Sequence, residues 1–139
     1  MSKKIVILNG SPRKTGNTST LVKAFTEGAE NAGHTVTEFF LDGMNIHGCK
    51  GCFGGHSSQE CPCVQKDDMT QIYPAVKESD VVVLATPLYY WNMSGQLRTA
   101  ICFGATAELR PCLWRRRATG LKMLSSTMTT LWSICAGTI

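Results

Sequence analysis

Two uninterrupted apolar runs, Ile5–Leu8 and Val81–Ala85, constrain this chain more than any other feature. Both are too short for a helix and long enough for a strand. A strand that is apolar at every position needs cover on both faces, the condition of a parallel sheet between helices. The intervening segments supply those helices. One is expected from about Thr18 to Ala32, with Leu21, Phe25, Gly28/Ala29 and Ala32 at helical spacing and Gly33 as its stop. A second strand is expected over His34–Leu41, on the β-formers Val36 and Phe40. Met69, Ile72, Tyr73 and Val76 share a face of a further helix that Asp67 or Asp68 can cap. Pro74 fits best in the first turn of a new segment. Gly95–Ile101 reads as the start of a third helix. Strands alternating with helices predict a three-layer α/β fold with a parallel sheet and right-handed crossovers. At 139 residues the chain is one domain.

The apolar fraction of 43% and the charged fraction of 17% suit a packed core rather than a disordered chain. No apolar stretch reaches the roughly 18 residues of a membrane span. The segment Met1–Leu8 lacks the apolar length of a signal peptide, so a cytoplasmic protein is expected. The net charge of +4 is unevenly placed. Nine Lys/Arg balance nine Asp/Glu through residue 101, and five Lys/Arg face one Glu beyond it. Nucleic acid and membrane are therefore not expected as partners. Seven cysteines, an odd number without an export signal, point to thiols, ligands or reactive groups rather than a disulfide framework.

Three constellations carry chemistry. The first, Gly10–Ser19, lies between a strand and a helix. Helix-terminal amides, the hydroxyls of Ser11, Thr18 and Ser19, and the forked cation of Arg13 make an anion site. A Walker A loop would need Lys where Asn17 stands and four residues between the glycines. Five separate Gly10 from Gly16, so a monophosphate fits better. The alternative is an ordinary loop with a Ser/Thr helix cap. The second, Ala85–Gly95, sets three consecutive aromatics after a strand end. They can edge a planar ring while Asn92 and loop amides bond its polar rim. Alternatively they pack a dimer interface or the domain's own core. The third is Cys49-x-x-Cys52 with Cys61-x-Cys63, inside the long Asp42–Lys66 loop. It suits free thiols, a redox disulfide, or a zinc or iron–sulfur centre, with His47 and His56 as possible further ligands.

Together these strings resemble the NAD(P)H-dependent FMN reductase branch of the flavodoxin-like superfamily, which includes the iron–sulfur flavoproteins. The matching blocks are Gly10-Ser11-Pro12-Arg13 with Gly16-Asn17-Thr18-Ser19, then Cys63-Val64-Gln65-Lys66-Asp67-Asp68-Met69, then Ala85-Thr86-Pro87-Leu88-Tyr89-Tyr90. They fall in order within residues 3–101. The resemblance implies bound FMN, NAD(P)H as co-substrate and flavin-centred chemistry without a catalytic side chain. It also implies a homodimer. It places FMN phosphate on Ser11, Arg13, Asn17, Thr18 and Ser19, at the turn marked by Gly16. It places the ribityl chain and ring against Pro87, Leu88, Tyr89, Tyr90, Trp91 and Asn92. The iron–sulfur members carry CxxCxxC, whereas Gly55 stands at the third cysteine's place here. A branch without a metal centre is therefore expected.

The resemblance stops after Ile101. Residues 1–101 form the flavodoxin-like, FMN-binding region, and 102–139 read as an aberrant or truncated end of the same domain, its strands missing or altered. No run like Val81–Ala85 recurs there. Codons exist for Leu113–Gly120 whose shifted reading gives a family-like strand and loop, so a frameshift upstream of Leu113 is expected. The rival functions are a non-enzymatic FMN electron carrier, a metal redox protein using the cysteine loop, and a frameshifted inactive variant. Flavin carriers are usually strongly acidic, and the neutral first 101 residues favour the enzyme.

Overall fold

The apolar runs form the middle of a parallel sheet. The computed structural model describes residues 1–52, 63–104 and 122–125. Strands β1 (Lys4–Asn9) and β3 (Val81–Thr86) pair along their length, with β2 (Thr35–Phe40) outside β1 and β4 (Lys122–Ser125) outside β3. The order is β2-β1-β3-β4, all parallel. Helix α1 (Asn17–Asn31) covers one face, while α2 (Met69–Glu78) and α3 (Gly95–Gly104) cover the other.

The alternation of side chains along each strand divides the core in two. Ile5, Ile7, Val83 and Ala85 meet Val22 and Ala29 of α1. Val6, Leu8 and Leu84 meet Ile72, Tyr73 and Val76 of α2 and Leu97 and Ala100 of α3. Ile7, Val22, Val83 and Leu97 are completely buried. This double cover is why both runs lack polar residues, and it is the three-layer arrangement expected.

The structure departs from the sequence expectation in four places. The core face of α1 is turned by about one residue. Thr18, Val22 and Ala29 are buried, Phe25 is half-buried, and Leu21 is exposed. The helix begins at Asn17, and its first turn is anchored by Thr18 and Ser19, whose hydroxyls gave no hydrophobic signal. Pro74 lies inside α2 rather than at a first turn. Pro74 and Thr70 are both exposed, so water can satisfy the Thr70 carbonyl that a Pro74 amide would have reached. Strand β2 spans Thr35–Phe40, one residue shorter at each end than expected. A fourth strand also follows Ile101. Lys122–Ser125 has only two adjacent apolar residues, but the open edge of β3 supplies backbone partners, and pairing rather than pattern makes it a strand.

The connection from β2 to α2 is stitched at its ends. A 3₁₀ turn at Leu41–Gly43 follows β2. The Asp67 carboxylate accepts from the amides of Met69 (3.1 Å) and His47 (3.2 Å). Asp68 accepts from the Asn45 amide at 2.7 Å, and its own amide donates to the Asn45 carbonyl at 3.1 Å. Asp67 thus caps the start of α2, one of the two acids expected to do so, while the Asp68 side chain makes no cap bond, and both acids close the base of the cysteine loop. Gly55, His56 and Cys61 lie outside the described residues, as do the Arg115–Arg117 run and Leu113–Gly120.

Val22→Ala is expected to lower unfolding free energy by about 2 kcal/mol, from two lost buried methyls and a cavity. Leu21→Ala is expected to change it by less than about 0.5 kcal/mol. Urea denaturation of both variants checks the orientation of α1; equal losses would contradict it.

Candidate functional site

Parallel sheets leave a crevice where neighbouring strands send their connections to opposite faces, beyond the carboxyl ends. Here that point lies between β1, which leads to α1, and β3, which leads to α3. The two following loops, Gly10–Gly16 and Pro87–Ser94, line one cleft of about 430 Å³. From the first loop come Ser11, Arg13, Gly16, Asn17 and Thr18, joined by Pro12 and Thr15. From the second come Pro87, Leu88 and Tyr89.

The first loop is braced from within. The Arg13 carbonyl accepts from the Ser11 hydroxyl (2.9 Å), the Ser19 hydroxyl (2.7 Å) and the Gly16 amide (3.4 Å). Ser11 Oγ in turn accepts from the Arg13 amide at 3.2 Å. Three donors on one carbonyl curl residues 11–16 into a compact turn that delivers the chain to α1. Gly16 is the N-cap and offers no side chain, and the first amides of α1 have no carbonyl within the helix to reach. The Arg13 and Lys14 side chains are exposed, and among the described residues Arg13 forms no ion pair. Lys14 Nζ sits 5.6 Å from the centre of the Phe40 ring, which ties the loop's tip to the end of β2. The cleft thus has a cationic, donor-rich wall built on a helix N-terminus.

The second wall is joined to the first through buried atoms. The Ser94 amide donates to Thr86 Oγ1 at 2.9 Å, and Ser94 Oγ accepts from the Leu97 amide at 3.3 Å, capping α3. Gly10 packs against this cap. A Cβ at Gly10 would lie 2.6 Å from Ser94 Oγ and 2.7 Å from Leu97 Cβ. The Gly10 amide donates to the Ala85 carbonyl at 2.8 Å and extends the β1–β3 pairing by one bond. Glycine at position 10 lets the two loops start in contact.

Between Tyr89 and Asn92 the chain reverses in a two-residue turn, with reciprocal amide–carbonyl bonds of 2.9 Å. Its central residues, Tyr90 (φ 46°) and Trp91 (φ 62°), both have positive φ, which such a turn requires and bulky residues disfavour. Their side chains are 101% and 94% exposed.

Eight of the twelve expected site residues line the cleft. The other four do not. Ser19 lies beneath the loop, its hydroxyl committed to the Arg13 carbonyl. The tight turn leaves Tyr90 and Trp91 on the solvent side, and Asn92 Oδ1 accepts from the Met93 amide at 2.9 Å. Sequence reasoning missed Thr15, the Ser94 cap and Asn9. Asn9 is completely buried at the end of β1, and the signal for it was a polar residue closing an apolar strand. In the cysteine loop, Cys49 and Cys52 are exposed and Cys63 is half-buried. Among the described residues no three His, Cys, Asp or Glu side chains are grouped to hold a metal ion. No helix among them is long and apolar enough to cross a membrane.

Residues 3–117 match the family described as NADPH-dependent FMN reductase. The chain belongs to this family. It is 41% identical over 98 residues to an iron–sulfur flavoprotein of Archaeoglobus fulgidus, covering 70% of this chain and 44% of that protein. It is 33% identical over 95 residues to an iron–sulfur flavoprotein of Methanosarcina thermophila, covering 68% and 49%. The chain thus spans about half the length of these curated relatives. A solved NAD(P)H:quinone oxidoreductase from Methanothermobacter marburgensis shares the fold, with a TM-score of 0.59 and 22% identity over 71% of this chain and 51% of that one.

In this family member the strained turn is a direct target. Replacing Tyr90→Asn and Trp91→Gly together supplies the residue pair such turns prefer and is expected to stabilise the protein by about 1–3 kcal/mol. A rise in Tm checks this, and a fall would show that the aromatics are held by contacts rather than by the turn.

Proposed function

We propose that the chain binds FMN in this cleft and belongs to an NAD(P)H oxidoreductase that passes reducing equivalents through the flavin to an acceptor. One observation carries the proposal: a cationic, donor-rich wall and a partly aromatic wall face each other across one cleft at the topological switch point. The donors suit a phosphomonoester. Arg13 offers a forked guanidinium, Thr15, Asn17 and Thr18 offer side-chain hydrogen bonds, and the α1 terminus offers amides. Leu88 and Tyr89 suit the edge of a planar ring. Bound FMN supplies the redox centre, so the protein's task is binding, orientation and exclusion of water. The neutral first 101 residues favour an enzyme over a strongly acidic flavin carrier. The exposed Tyr90–Trp91 pair is assigned to a homodimer interface, since the domain's own core leaves it uncovered.

The purified chain is expected to take up FMN and to bleach when NADH or NADPH is added, as two electrons and a proton pass as hydride to the flavin. Arg13→Ala is expected to weaken FMN binding by about tenfold to a hundredfold, the worth of a charged hydrogen bond of about 1.5–3 kcal/mol. Riboflavin, which lacks phosphate, is expected to be affected far less. Protein that takes up no added FMN ends the proposal, and FMN that stays oxidised with both nucleotides ends its enzymatic part.

A second reading is a metal or iron–sulfur centre on Cys49, Cys52, Cys61 and Cys63. Gln65 favours it. Its side-chain amide donates to the Gly48 carbonyl at 3.2 Å and approaches Cys63 Sγ at 4.0 Å, so it links the two cysteine-bearing arms of the loop. The relatives named iron–sulfur flavoproteins also favour it. An iron–sulfur centre is expected to add a broad visible shoulder and acid-labile sulfide, both lost in Cys49→Ser/Cys52→Ser. Anaerobically prepared protein without iron, zinc or sulfide dismisses this reading.

A further inference from the structure

Asn9 ends β1 with a polar side chain that is completely buried, and every polar atom of that side chain is engaged. Its Oδ1 accepts from the Ser11 amide at 3.0 Å. Its Nδ2 donates to Glu38 Oε1 at 2.8 Å and to Ser19 Oγ at 3.4 Å. The two ends of this network decide which way the amide group lies. The Ser11 N–H can only donate, and an ionised Glu38 carboxylate can only accept. Turning the Asn9 amide over would set donor against donor and acceptor against acceptor. Glu38 therefore fixes which atom of Asn9 faces the loop, and Asn9 fixes where the loop leaves the strand. Ser19 extends the chain of bonds, since its hydroxyl reaches the Arg13 carbonyl on which the whole turn closes.

Glu38 stands on the outer strand β2, opposite Ile7 of β1, and is itself exposed. A carboxylate one side chain behind an anion-binding loop opposes the anion rather than attracting it. Its presence there is explained by the hydrogen bond it accepts, not by its charge.

We propose that Glu38 and Asn9 are positioning residues that hold the Gly10–Gly16 loop in the shape that receives the phosphomonoester end of the ligand. This rests on the FMN reading above. It makes β2, which contributes no residue to the cleft, part of the binding machinery.

The test compares FMN with riboflavin, titrated by quenching of flavin fluorescence, in the wild-type chain and in Glu38→Ala and Glu38→Gln. Glu38 is exposed, so both variants are expected to melt close to the wild type. Glu38→Ala is expected to weaken FMN by about fivefold to tenfold, near the value of one lost orienting hydrogen bond, and riboflavin by less than about twofold. Glu38→Gln keeps an acceptor and removes the charge, so FMN is expected to bind as tightly as in the wild type or more tightly. Asn9→Ala is expected to show the same selective loss. If that buried variant fails to fold, the Glu38 pair still decides. The inference is overturned if Glu38→Ala keeps the wild-type ratio of FMN to riboflavin affinity. It is equally overturned if that variant loses both flavins by one factor, or if Glu38→Gln loses FMN as Glu38→Ala does. A wild-type chain that binds FMN no more tightly than riboflavin overturns the phosphate reading, and this inference with it. Discrimination kept in Glu38→Ala overturns the inference alone.

Discussion

Strand β1 is enclosed on every side, and the rest of the molecule is arranged around that enclosure. Its edges are hydrogen-bonded to β2 and β3, and its faces are covered by α1 and by α2 with α3. Where such a strand ends, the backbone groups just beyond it lose their sheet partners and need others. Asn9 manages that exit. Its side chain receives the Ser11 amide just beyond the strand, and Gly10 spends its own amide on the Ala85 carbonyl. The loop that follows is therefore fixed at its root before any ligand is considered.

The same constraint couples the two walls of the cleft. Because β1 and β3 pair in register, Gly10 emerges beside the end of β3 and against the N-terminus of α3. There is no room for a side chain at that contact, and the Thr86–Ser94–Leu97 bonds hold the second loop to it. A shift of either loop is felt by the other through buried atoms. The outer part of the second loop is different in kind. Tyr90 and Trp91 occupy a backbone region that costs about 1–3 kcal/mol per residue, with side chains fully in solvent. Among the described residues, no local packing offsets that strain.

Much of this was legible in the residues. The runs at Ile5–Leu8 and Val81–Ala85 announced covered strands, and Met69, Ile72, Tyr73 and Val76 announced the buried face of α2, because burial on both faces or along one stripe leaves a pattern in the chain. Most of the cleft was also legible, since loops that end parallel strands converge by topology. Other features left no such pattern. Leu21 looked like a core residue and is exposed, because the helix face was set by Thr18 and Val22 against the sheet. Strand β4 exists through pairing with β3, and pairing partners are not written in a four-residue segment.

By itself, the sequence determined the α/β class, the order of elements, the two loops that meet at the switch point and the family, since each depends on local patterns of polarity and turn residues. The tertiary structure decided how those loops are held. It buried Asn9 between Ser11 and Glu38, residues that lie 2 and 29 positions away, and set Gly10 against Ser94. It also turned Tyr90, Trp91 and Asn92 out of the cleft that their neighbours line. Hydrogen bonds and steric contacts between distant segments depend on how the strands register and where the helices dock, and neither is fixed until the sheet has formed.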